Sequence, residues 1–127
     1  MQQQHLFEYA IIRVVPRVER EEFINAGVIL YCAKQHFLQA KFHVDEERLT
    51  SLCAGIDCEE IERNLSALHR ICNRDKDAGP IARLDDAGRF RWLTATRSTV
   101  IQSSKVHPGF CADPSQKLIR LYETLVV

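Results

Sequence analysis

Three runs near the start of the chain alternate or fill with apolar residues at a period that suits strands, and each ends at a residue that breaks pairing. Phe7 to Val15 is rich in β-branched and aromatic side chains and stops at Pro16; such a run favours a pleated, half-buried surface over a helix. Its alternation puts Phe7, Tyr9, Ile11, Arg13 and Val15 on one face and Glu8, Ala10, Ile12 and Val14 on the other. Ile24 to Ala33 is apolar almost throughout, which predicts a central strand, with Gly27 marking a bulge or a close approach. Phe37 to Val44 alternates cleanly, Leu38, Ala40, Phe42 and Val44 inward and Gln39, Lys41 and His43 outward. The charged stretch Arg17–Glu22 and the pair Lys34-Gln35 are the connections. Together these runs predict an antiparallel meander.

Helical signals follow. Asp45 is placed to cap a short helix ending near Gly55, and Asp57 with Glu60 makes a capping-box-like start for a longer one with Ile61, Leu65, Leu68 and Cys72 on one stripe. After a loop at Arg74–Pro80, Asp85 or Asp86 starts a short helix through Leu93, weakened by Gly88. Ser98 to Val106 reads as an extended edge, and His107-Pro108-Gly109 as a turn. Asp113-Pro114 with Gln116 opens a final helix carrying Leu118, Leu121, Tyr122 and Leu125. Strands followed by helices predict an α+β domain spanning 1–127, an antiparallel sheet of three to four strands with about three helices packed on one face.

Charge removes some function classes. The 127 residues hold 17 Lys+Arg and 17 Asp+Glu, so no whole-molecule field draws the chain to nucleic acid or an anionic membrane. No run approaches the ~20 apolar residues of a membrane span, and the N-terminus lacks a signal-peptide pattern, so a cytoplasmic location is expected. The five cysteines are expected reduced and mostly buried. Cys53/Cys58 and His69/Cys72 lack the usual zinc-ligand spacing, so neither a metal nor a cofactor is expected. Cys58 opens a helix, but Asp57, Glu59 and Glu60 oppose a thiolate there.

Two features carry the candidate chemistry. No acidic residue stands between Asp86 and Asp113, whereas Arg89, Arg91, Arg97 and Lys105 do, interleaved with Phe90, Trp92, Ser98 and Thr99. Cations, aromatic faces and hydroxyls are the ingredients of a phosphate-binding surface; an ordinary solvated face is the simpler alternative and is preferred. Arg13 lies mid-strand among apolar neighbours, where a charge must be paired or must line a cleft. Glu19, Glu22 or Asp45 would pair it; otherwise its guanidinium recognises an anion. His43 and His107 have no oriented partner, and no nucleophile elbow or glycine-rich phosphate loop is present.

Three segments carry a resemblance: Tyr9–Pro16 with Glu22–Tyr31, Arg89–Gln102, and Val106–Gly109 with Asp113-Pro114. They are similar to the bacterial uncharacterised-domain family numbered 3037, over nearly the whole chain, with departures at Gly88 and Thr96. The resemblance implies a small bacterial cytosolic protein whose partner is a HipA-like kinase encoded nearby. It also draws attention to the polar residues inside matched segments: Arg13, Asn25, Arg89, Trp92, Arg97, Ser98, Thr99, Gln102 and His107. The expected function is a non-enzymatic accessory or interaction module. A nucleic-acid or phosphate-ligand module using Arg89–Lys105 is the alternative, and a hydrolase or nuclease built on Arg13, Arg97 and His107 is the third reading.

Overall fold

A computed structural model describes residues 3–97 and 99–127. Strand β1 (His5–Val14) lies between β2 (Ile24–Cys32) and a broken strand made of β4 (Ile101–Ser103) and β5 (His107–Cys111). β3 (Phe37–Phe42) adds to the far side of β2, and every pairing is antiparallel. Four helices complete the chain: α1 (Glu46–Leu52), α2 (Cys58–Cys72), α3 (Asp86–Leu93) and α4 (Pro114–Leu125). The class is the expected α+β, with five strands and four helices instead of three to four and about three.

Each helix starts where an aspartate caps it. The Asp45, Asp57 and Asp85 carboxylates accept from the backbone N–H of Arg48, Glu60 and Gly88, and Asp113 accepts from Ser115 and Gln116. Each cap satisfies donors that the first helical turn leaves unpaired, and contributes about 1 kcal/mol. Asp85 rather than Asp86 is the cap of α3, and Gly88 suits it: a Cβ there would stand 2.9 Å from the capping oxygen.

The helices occupy both faces of the sheet, a correction to the one-face arrangement. Leu49, Ile61, Leu65, Phe90 and Leu93 from α1–α3 pack on Ala10, Ile12, Val14, Ile29 and Leu38. On the other face Leu118 and Val126, at and just beyond α4, pack on Phe7, Val28, Leu30, Cys32 and Cys111. Burial on two faces is why β2 is apolar along its length. A stripe on the last helix identifies its inner side but not which side of the sheet it meets, and the second apolar set on β1 and β2 decides it.

Two local irregularities shape the sheet along β1. The β1–β2 register slips between Ile12 and Arg13, so that Ala26 bulges out between the partners Gly27 and Asn25; a Cβ on Gly27 would overlap the Phe42 ring. On the other edge, Ser104 interrupts β4–β5. Its backbone N–H donates to Ile11 O (2.8 Å), and its buried Oγ accepts from Ile11 N–H (2.9 Å). The side chain thus supplies the ladder bond that the strand break removes. Beyond it, His107-Pro108-Gly109 is strand rather than turn, paired with Tyr9, Glu8 and Phe7. The turn chemistry is overridden because an edge strand tolerates proline and because Gly109 lets the Phe7 ring approach, where a Cβ would lie 2.6 Å away.

Ser104→Ala leaves a buried Ile11 N–H without its acceptor, so it should destabilise the fold by about 1–3 kcal/mol. A urea denaturation series would show a lowered midpoint with unchanged slope; an unchanged midpoint would mean the strand break carries no such bond.

Candidate functional site

The bulge at Ala26 and the start of β4 bring three of the expected residues into one cross-strand row. Arg13 is registered with Asn25 on β2 and with Gln102 on β4, so all three project from the α4 face of the sheet. Asn25 Nδ2 donates to Leu125 O at the end of α4 (3.0 Å), and Gln102 Nε2 donates to Thr99 O (2.8 Å). The Arg13 guanidinium stacks 4.1 Å over the Phe23 ring and is within salt-bridge reach of no carboxylate among the described residues. Of the partners weighed for it, Glu22 pairs with Arg20 instead. Three buried side-chain polar atoms lack a hydrogen-bond partner among the described residues, and two of them, Arg13 Nε and Asn25 Oδ1, belong to this row. Arg13 and Gln102 open on a cleft of about 300 Å³ walled by Val15, Val18, Glu21 and Phe23.

The Arg89–Lys105 segment is dispersed. Arg89 is 4% exposed and acts as an internal brace: it donates to Leu84 O (2.7 Å), Cys72 O (3.5 Å) and Asp86 (2.9 Å). Arg91 is exposed and paired with Glu8 at 2.9 Å. Arg97 stacks 4.3 Å over Trp92 and donates to its carbonyl, at the rim of an apolar groove that Asn64, Leu68, Val100 and Ile101 also line. That groove lies on the α2 face, opposite Arg13. Thr99 Oγ1 donates to Ile101 O (2.6 Å), and Ser98 lies outside the described residues. His107 stacks on Tyr9 at 5.2 Å, on the Arg13 face but four β1 residues away, roughly 13 Å along the strand. Arg13, Arg97 and His107 therefore do not converge.

An apolar feature escaped the sequence reading. Leu6 and Phe110 are directly opposed across β1 and β5, yet are 51% and 68% exposed. The next pair on that face, Glu8 and Pro108, extends the block, and no strand among the described residues pairs with the outer edge of β5. Phe110 between Gly109 and Cys111 looks like core in sequence. Only the mistaken turn at His107–Gly109 hid the alternation that points it outward.

Over residues 9–126 the sequence matches the family described as "Protein of unknown function (DUF3037)". The chain belongs to that family. No curated protein and no solved structure matches the chain. The family span takes in the Arg13 row, Arg97, His107 and Phe110, while Leu6 precedes it. No helix among the described residues is long and apolar enough to cross a membrane.

The cysteines are free thiols. Partial burial, then Glu46, Glu62 and Asp57, push the Cys58 thiol up, which opposes a nucleophilic role. Burial pushes Cys72 up from 9.0 to about 12. The folded state therefore favours the neutral thiol, and its contribution is full at low pH and lost as pH rises from the unfolded value towards the folded one. The destabilisation caused by Cys72→Ala should shrink as pH rises from about 9 towards about 12, measured by denaturation at each pH; a constant difference would contradict it. Arg89→Met should cost about 1–3 kcal/mol, whereas exposed Arg91→Ala should change stability by less than about 1 kcal/mol. Equal effects in thermal unfolding would contradict the brace assigned to Arg89.

Proposed function

We propose that this chain is a non-enzymatic accessory module that binds a partner protein along β5, and that the partner is the HipA-like kinase implied by the family resemblance. The observation that carries the reading is the Leu6–Phe110 pair, two large apolar side chains exposed side by side on an outer strand with an open edge. A solvent-facing apolar block on a strand edge is the geometry of strand addition: the partner's backbone extends the sheet and its side chains cover the block. Pro108 donates no N–H, which limits open-ended stacking of identical edges. The dispersal of Arg89, Arg91 and Arg97 among separate neighbours favours this reading over a phosphate-binding surface, which needs cations on one face. The separation of Arg13, Arg97 and His107 likewise favours binding over hydrolysis.

Burying a phenylalanine side chain yields about 1.5–3 kcal/mol. Phe110→Asp should therefore weaken the complex by about ten- to hundred-fold or more. The check is capture of the HipA-like kinase by the tagged chain, with nuclease present throughout. Wild type and Arg97→Ala should retain a stoichiometric kinase, and Phe110→Asp should lose it while unfolding at the wild-type temperature. Undiminished capture by Phe110→Asp, or capture of nucleic acid alone that disappears with nuclease, would overturn the proposal.

A further inference from the structure

The Arg13 cleft is far from the β5 block. Arg13 and Leu6 are seven β1 residues apart, roughly 23 Å, and project from opposite faces of the sheet. The unmet hydrogen-bonding needs around the cleft are of two kinds. Arg13 presents a guanidinium paired with no carboxylate among the described residues and stacked over the Phe23 ring. Gln102 has committed its amide nitrogen to Thr99 O, which leaves its side-chain carbonyl free to accept. Glu21 adds a carboxylate on the same wall.

A plain anion would satisfy Arg13 but would face Glu21 and the Gln102 carbonyl oxygen, which needs a donor. A plain cation would satisfy those and face the guanidinium. A group that carries both charges a few bonds apart satisfies all three. The rest of the wall, Val15, Val18 and the Phe23 ring, is apolar, and about 300 Å³ is the small end of the range for ligand cavities.

Glu21 is also held in a left-handed backbone conformation, φ 55°, where it ends the 3-10 turn Val18–Arg20. Glycine would take that conformation without a steric cost, so Glu21, like His36 and Arg74 elsewhere, carries some local strain.

We propose that the cleft binds a small zwitterion of the α-amino-acid type. Its carboxylate sits on the Arg13 guanidinium, its ammonium is shared between Glu21 and Gln102 Oε1, and its short aliphatic side chain lies against Val15, Val18 and Phe23. This site is independent of the β5 interaction.

The test is an amide-resolved nuclear magnetic resonance titration of the full chain with L-valine. Isobutyrate and isobutylamine serve as probes that each keep one charge. L-valine is expected to shift the Arg13, Phe23 and Gln102 amides saturably, and each single-charge probe to bind about tenfold more weakly or worse. Glu21→Gln, at an exposed position, and Arg13→Gln should each lose the saturable shifts while the remaining amide spectrum stays folded. Glu21→Gly separates strain from recognition: its unfolding midpoint should rise while valine binding is lost. Isobutyrate binding as tightly as L-valine, the absence of saturable shifts with L-valine, or retained binding in the Glu21 variants would overturn the assignment.

Discussion

Strand β1 is the constraint from which the rest of the structure follows. It pairs with β2 on one side and with both β4 and β5 on the other, so sheet contacts between the N-terminal hairpins and the C-terminal strands run through it. Its two faces feed two different cores. Ala10, Ile12 and Val14 are buried under α1–α3, and Phe7 under α4. Burial of about 25 cal/mol per Å² on both faces of a single strand is what lets so short a chain hold helices on each side. A polar residue on such a strand stands out, and Arg13 is the one guanidinium β1 carries.

The same strand separates the two surfaces proposed for recognition. Near its start, Leu6 meets Phe110 before either helix layer covers them. Near its end, the Ala26 bulge and the Ser104 break loosen the ladder on both sides, and the Arg13 row opens on a cleft. Irregularities of this kind re-aim side chains and interrupt pairing, and here they fall where the polar residues gather.

Much of this was legible in the residues. The alternation of β1 and β3, the continuous apolar run of β2 and the aspartate caps are local signals, and the structure uses each of them. What depended on partners distant in sequence was not legible. Arg89 looks like a surface cation until Leu84 O, Cys72 O and Asp86 close around it, and two of those come from outside its own helix. His107-Pro108-Gly109 has the chemistry of a turn, and pairing with β1 overrides it. Missing that strand also hid Phe110, because its outward direction follows from the register with Leu6. For Arg13 the sequence left a pairing carboxylate and an open cleft in balance. In the structure Glu22 turns to Arg20 and Phe23 lies under the guanidinium, contacts that no local pattern announces.

The most direct measurement of the proposal that β5 is the recognition edge of a sheet organised by β1 is amide hydrogen exchange on the chain alone and mixed with the proposed HipA-like kinase. Slow exchange is predicted through β1 and β2 in the free chain, and fast exchange at Phe110, whose N–H faces outward from β5. In the complex, protection should appear at the Phe110 amide and leave the α2 and α3 surface unchanged. New protection confined to α2, α3 and the Trp92–Arg97 groove, with β5 still exchanging freely, would contradict it.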